Sequence, residues 1–141
     1  MLKVLLSVDG SANSNRALDH VIALSAAGAQ LEVHLLNVQI PIASGHVTLF
    51  VSQSQINQYL RDEGLKALQS ARDRLDRSGV PYSYHIGVGH VAETIAEYAK
   101  ERQCDNVVIG TRGLSGWSNL LLGSVAAKVL KLSAAPVTLV K

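Results

Sequence analysis

A glycine-rich stretch over residues 110–124 has the residue types that could bind a phosphate group. Glycines occupy positions 110, 113 and 123, and Ser124 follows Gly123 directly, where a helical pattern begins. Glycine at 110 and 113 permits sharp turns and lets the backbone approach a ligand closely. The unpaired N–H groups and the positive dipole end of the following helix favour an anion. The Ser124 hydroxyl either caps this helix or meets a phosphate oxygen.

Two basic side chains could add positive charge to this site. Arg112 lies inside the glycine-rich stretch, and Lys128 lies four residues beyond Ser124. Trp117, the only tryptophan, lies in the same stretch. It could serve as a lid, as a contact to a partner or as an anchor on the core. The structural alternative is that the glycines only shape a surface loop and that Ser124 only caps the helix.

A single carboxylate stands where the first predicted strand ends, in the run Val8-Asp9-Gly10-Ser11. A carboxylate near a triphosphate would repel it, so Asp9 belongs at the ribose or adenine end, or beside a metal ion. The alternative is structural, since an aspartate ahead of Gly-Ser commonly forms a turn.

The spacing Gly110-x2-Gly113-x9-Gly123-Ser124 resembles the ATP-binding signature G-x2-G-x9-G-[S/T] of the universal stress proteins. The resemblance covers the whole chain, from the opening stretch Val4–Ser11 to the closing run Ala135–Val140. It implies a homodimer of nucleotide-binding domains that is induced under stress. It also implies that ATP, or ADP or AMP, binds together with Mg²⁺.

The resemblance also assigns the two ends of the nucleotide. Asp9 and the backbone of Val38 would hold the adenosine, while Val125 follows Ser124 where a second hydroxyl is often found. We assign no catalytic residue and no metal ligand among the side chains. The predicted nucleotide-binding residues are Asp9, Val38, Gly110, Arg112, Gly113, Gly123, Ser124 and Val125.

Three functions remain open at this point. The first is a dimeric regulatory module that responds to ATP. The second is a slow ATP hydrolase or phosphotransferase, which needs a base near the γ-phosphate that we cannot name. The third is a stress protein that acts through protein contacts without nucleotide. For the dimer, the predicted edge strand Pro136–Val140 offers unpaired N–H and C=O groups to a second copy; the alternative is that residues 39–53 cover it.

Other chemistry has less support. Gly87-Val-Gly89-His-Val-Ala92 fits a dinucleotide fingerprint, but no acidic residue ends the next strand as that fingerprint requires. There is no Walker A motif. The five histidines lack short metal-ligand spacing and are interpreted as surface or strand residues. The lone cysteine, Cys104, is interpreted as a packing residue.

The elements that must position these residues alternate along the chain. Helices are predicted over about 14–27, 55–77, 91–102 and 124–132, and a long loop over 39–53. Strands are predicted at Leu2–Val8, Leu31–Val38, Pro81–Gly87, Asp105–Gly110 and Pro136–Val140. This order predicts one α/β domain over residues 1–141: a doubly wound, mostly parallel, five-stranded Rossmann-like sheet with helices on both faces.

Composition narrows the class of partner. The chain has 141 residues, 48% of them hydrophobic, and a net charge of +2. This charge is too small to indicate a nucleic-acid or membrane partner, and no apolar run approaches the roughly 18 residues of a membrane span. With one cysteine and no secretory signal pattern, the sequence predicts a soluble cytoplasmic protein.

Overall fold

The computed structural model describes residues 1–42, 45–112 and 122–141, with the side chain of Thr48 also left undescribed. Gly113 and Trp117 therefore lie outside the described residues. The strands are β1 (Leu2–Ser7), β2 (Leu31–Gln39), β3 (Tyr82–Val88), β4 (Asn106–Gly110) and β5 (Val137–Val140). The helices are α1 (Ala12–Ala26), α2 (Gly45–Phe50), α3 (Gln53–Ser78), α4 (Val91–Glu101) and α5 (Ser124–Leu132).

The five strands form one sheet in the order β3-β2-β1-β4-β5. Every pairing in it is parallel, so the predicted α/β class is confirmed and the sheet is wholly parallel. The chain moves outward from β1 to β3, then returns to the other side of β1 with β4. The strand order therefore reverses between β1 and β4, which is where open α/β sheets form their ligand crevice.

Alternating side chains of the central strands feed two separate apolar layers. Val4 and Leu6 pack with α1 and α3 on one face of the sheet. Leu5 packs with α4 and α5 on the other face. These three side chains are at most 4% exposed, and burying each one stabilises the fold by roughly 1.5–3 kcal/mol. Because both faces are covered, β1 is apolar along almost its whole length.

One predicted boundary was wrong. The expected loop over 39–53 contains a six-residue helix, α2. No glycine or proline interrupts residues 46–52, so helical backbone is permitted there, but no apolar stripe of helical period marks it. Its side chains Leu49 and Phe50 are 77% and 84% exposed. The next helix, α3, begins at Gln53 because Ser52 and Gln55 form a reciprocal capping box.

Cys104 matches its sequence interpretation as a packing residue. Cys104 is 8% exposed in the α4–α5 layer, and burial raises the pKa of its thiol. A buried thiol with a raised pKa is a poor nucleophile, which supports a packing role. Among the described residues, no helix is long and apolar enough to cross a membrane.

Two of the histidines meet across the pairing of β2 with β3. His34 Nδ1 lies 3.4 Å from His85 Nε2, and the rings stack. Arg102 donates to His85 Nδ1 at 3.4 Å, and Glu32 Oε1 lies 3.4 Å from His34 Nε2. Because a guanidinium only donates, His85 Nδ1 must accept, which leaves the proton of the neutral ring on Nε2. Burial, together with the charges of Arg102 and His34, lowers the pKa of His85.

This lowered pKa predicts a loss of stability in mild acid. The pKa of His85 is lower in the folded chain than in the unfolded one, where it is about 6.5. As pH falls below about 6.5, the unfolded state takes up the proton first. Neutral His85 therefore contributes its full stabilisation above pH ~6.5, and this contribution declines below that pH. Urea midpoints measured between pH 7.5 and pH 5 should fall for the wild type and fall less for His85→Gln. The exposed His20→Gln variant is the matched control, and an equal pH dependence in His85→Gln would contradict this account.

Candidate functional site

A cavity of about 330 Å³ opens at the carboxyl ends of β1, β2 and β4. It lies at the reversal of strand order between β1 and β4, and its volume is within the range of roughly 300–1,000 Å³ of small-molecule sites. Most of the predicted binding residues meet there, and Gly113 lies outside the described residues. Its lining includes Asp9, Asn37, Val38, Gly110, Thr111, Arg112, Gly123, Ser124 and Val125.

The first turn of α5 forms one wall of the cavity. Gly123 is the N-cap residue, and as a glycine it has no side chain with which to cap the helix. The exposed Ser124 is the first helical residue, so the alternative that it serves as the cap is wrong. The Gly123 N–H donates to the carbonyl oxygen of Thr111 at 2.7 Å, which holds the helix start against the end of β4. A helix N-terminus without a side-chain cap can accept an anionic ligand.

The two predicted cations differ in position. Arg112 lines the cavity, whereas Lys128 does not line it and instead forms an ion pair with Glu93 of α4. The pKa of Glu93 is lowered, mainly by the hydrogen bond that its carboxylate accepts from Lys128. The ion pair therefore joins α4 to α5, and the suggestion that Lys128 adds charge to the phosphate site has no support in this geometry.

Asp9 has a structural role and also faces the cavity. Its Oδ1 accepts a hydrogen bond from the Ser11 N–H at 2.9 Å, and Gly10 between them has a φ of +84°. This is the turn that the sequence offered as the alternative interpretation of Asp9. The half-buried carboxylate lines the cavity as well. Turn formation and ligand contact are therefore compatible at this residue.

Gly110 lines the cavity and also has a packing role that the sequence did not predict. It is buried, and a Cβ atom built on it would lie 2.8 Å from Cγ of Asn13 and would overlap the Asn13 Oδ1. The missing side chain therefore makes room for Asn13. Close approach of the backbone to a ligand does not by itself explain this glycine.

Sequence reasoning missed two buried asparagines beside the cavity. Asn13, in the first turn of α1, is 4% exposed and bonds backbone groups of Arg112 and Val140. Asn37, on β2, is 3% exposed and donates to the Val8 carbonyl oxygen at 2.9 Å. For Asn37, an amide inside the apolar run of β2 was an available signal. Asn13 offered none, since a polar residue in a first helical turn normally faces solvent.

The sequence model described as the Universal stress protein family matches residues 1–141. The chain belongs to the universal stress protein family. A relative from Bacillus subtilis, the universal stress protein YxiE, is 34% identical over 99% of this chain and 98% of its own length.

Solved structures of other universal stress proteins share the fold. The protein MJ0577 superposes with a TM-score of 0.82 at 28% identity, over 99% of this chain and 94% of that one. A universal stress protein solved in complex with cAMP has a TM-score of 0.72, also at 28% identity, over 99% and 97% of the two chains. The resemblance stated from the glycine spacing is confirmed at the level of family and fold.

The packing of Gly110 on Asn13 predicts a large steric cost. Gly110→Ala should lower the free energy of unfolding by about 1–3 kcal/mol, the usual cost of overpacking a core. In an Asn13→Ala background the same substitution should cost much less, because the colliding carboxamide is gone. Urea unfolding of the four proteins in this cycle measures the difference. Gly45→Ala is the control, since its Cβ position meets no described atom within 4 Å beyond its chain neighbours and its own helix backbone. Equal costs in both backgrounds would refute the contact.

Proposed function

We propose that this universal stress protein binds an adenine nucleotide in the cavity between β1 and β4. The observation that carries the proposal is the N-terminus of α5, which opens into the cavity with a glycine as its N-cap residue. The phosphate groups would lie there, beside Arg112 and Ser124. The nucleoside would lie toward the ends of β1 and β2, near Asp9 and Val38. The structure of the relative bound to cAMP supports an adenine ligand for the family.

Within this ligand class, the glycine spacing favours ATP with Mg²⁺. Asp9 is the one acidic side chain in the described lining, and no group of three acidic, histidine or cysteine side chains in the described ranges could hold a metal. Mg²⁺ usually binds through one or two carboxylates, water and substrate phosphates. These residues fit an ion that arrives with the nucleotide. Its ligands would be phosphate oxygens and water, with Asp9 at the nucleoside end, and the ion would neutralise phosphate charge.

The proposed active form is a homodimer that uses nucleotide occupancy as a regulatory signal. β5 stands at an edge of the described sheet, and each of its residues is only partly buried. One side of such a strand presents unpaired backbone groups that a second copy can pair. A two-fold axis would join the two β5 strands and extend the sheet across both chains.

Ser124→Asp tests the phosphate position without disturbing the fold. A carboxylate in the first turn of a helix is favourable for the helix dipole, but it would repel a phosphate bound to the same turn. We expect at least about a tenfold loss in affinity for AMP and for ATP with Mg²⁺, since a repulsion of about 1–4 kcal/mol applies at 4 Å. Isothermal titration calorimetry of nucleotide-stripped protein measures these affinities.

Three comparisons sharpen this experiment. Ser124→Asn has nearly the same shape as Ser124→Asp without the charge, so it should bind almost as the wild type does. Adenosine, which has no phosphate, should bind both variants equally, and GTP should bind the wild type more weakly than ATP. Unchanged AMP and ATP affinity in Ser124→Asp would show that the phosphates do not bind at the N-terminus of α5. Wild-type protein that binds no nucleotide would favour action through protein contacts.

The dimer requires a separate test at β5. Thr138→Lys places a charge on this edge strand, so that two copies brought together would repel each other. Sedimentation velocity should show a dimer for the wild type and a monomer for Thr138→Lys. Val88→Lys places the same charge at the end of the opposite edge strand, β3, where Val88 is 52% exposed, and it should remain dimeric. A dimeric Thr138→Lys, or a monomeric wild type, would contradict the β5 interface.

A further inference from the structure

A buried side-chain amide connects the cavity wall to the edge strand. Asn13 Oδ1 accepts a hydrogen bond from the Arg112 N–H at 2.6 Å. Its Nδ2 donates to the Val140 carbonyl oxygen at 3.1 Å. With Asn13 only 4% exposed, water does not compete well for either bond. One rigid carboxamide therefore links a residue that lines the cavity to a residue of β5.

A backbone path runs beside this amide. The Thr111 N–H donates to the same Val140 carbonyl oxygen at 2.9 Å, and the Thr111 carbonyl oxygen accepts from the Gly123 N–H at 2.7 Å. The N-cap of α5, the end of β4 and the end of β5 thus form one hydrogen-bonded chain. Thr111, Arg112 and Gly123 all line the cavity.

Packing holds the amide in this arrangement. Gly110 lies so close to Asn13 that even a methyl group would overlap the carboxamide. The side chain therefore has little room to turn without moving the end of β4. A displacement of residues 110–112 would therefore press on Asn13 and, through its bond, on Val140.

We infer that Asn13 is a positioning residue that couples occupancy of the cavity to the order of β5. The inference rests on the proposed nucleotide site. A phosphate held at the start of α5 would restrain residues 110–112, and the Arg112–Asn13–Val140 bonds would then restrain the edge strand. Because coupling is reciprocal, pairing of β5 with a second copy would raise the affinity for nucleotide by the same factor.

Hydrogen exchange of the segment 137–141, followed by mass spectrometry, tests this coupling. Saturating AMP, or ATP with Mg²⁺, should slow exchange in the wild type about fivefold or more, which is the lower range of measured couplings. Asn13→Asp keeps an oxygen to accept from the Arg112 N–H but removes the donor to Val140. At pH 8 this variant should still bind nucleotide, while the slowing in segment 137–141 should be lost.

The far end of β5 supplies a matched control. Asn106 Nδ2 donates to the Pro136 carbonyl oxygen at 3.0 Å, and Asn106 does not line the cavity. Asn106 Nδ2 also donates to Thr138 Oγ1 at 3.2 Å, so Asn106→Asp removes amide bonds from the start of the edge strand without changing a residue of the cavity. Its exchange without ligand should be faster than in the wild type, but the slowing caused by nucleotide should remain.

Calorimetry on the same samples separates the possible outcomes. If the wild type binds neither AMP nor ATP, both the proposed function and the coupling are wrong. If nucleotide binds but segment 137–141 exchanges at an unchanged rate, only the coupling is wrong. Full slowing in Asn13→Asp, or its loss in Asn106→Asp as well, would also refute the role of Asn13. Should Asn13→Asp fail to fold, Asn13→Ser, whose hydroxyl is too short to reach both partners, takes its place with the same expected result.

Discussion

The parallel pairing of β1 with β4 is the constraint on which the site depends. It places two strands that are separated by about 100 residues side by side, with their carboxyl ends at the same edge of the sheet. Since the strand order reverses at this pair, the helices that follow β1 and β4 leave toward opposite faces, and a crevice opens between them. Asp9 and Gly110 approach one another only because of this pairing. The apolar side chains of β1 are buried on both faces of the sheet and stabilise this pairing, which holds the polar groups of the cavity at the ends of the two strands.

Charge at the mouth of this crevice is sparse, and its distribution defines what the cavity can hold. Arg112 is the one basic side chain of the described lining, and Asp9 is its one acidic side chain. Lys128 has an acidic partner on the neighbouring helix. Attraction for a phosphate must therefore come largely from backbone N–H groups at the start of α5, which are fixed in direction and need no counter-charge. If the proposed function holds, such a site would recognise the shape of a phosphate as well as its charge, and triphosphates would need a cation to enter with them.

Periodicity and spacing predicted the elements well where the pattern was local. The alternation of strands and helices followed from apolar residues at regular intervals. The helix predicted over about 55–77 is α3 (Gln53–Ser78), which ends at Gly79 with a φ of +76°. The glycine spacing identified the family. What it could not predict was the partner of each glycine: Gly110 meets Asn13, 97 residues earlier, because β4 lies beside the start of α1. The meeting of His34 with His85 depends in the same way on the register of β2 with β3. Helix α2 was missed because its exposed side chains leave no apolar stripe.

The asparagines show why long-range polar contacts have no simple sequence signature. A buried carboxamide costs about 1–3 kcal/mol for each group left without a partner, so it persists only where the fold supplies both a donor and an acceptor. Asn13 obtains both from the backbone, from the Arg112 N–H and the Val140 carbonyl oxygen. Leucine would take the acceptor away from the Arg112 N–H and leave the Val140 carbonyl oxygen with only its bond from the Thr111 N–H, and aspartate would set a carboxylate against a carbonyl. The asparagine amide carries a donor and an acceptor far enough apart to serve a C=O and an N–H at once, and that requirement exists only after β4, β5 and α1 have come together. The need for asparagine at position 13 therefore comes from tertiary structure, and its role depends on the strands β4 and β5 that it connects to α1.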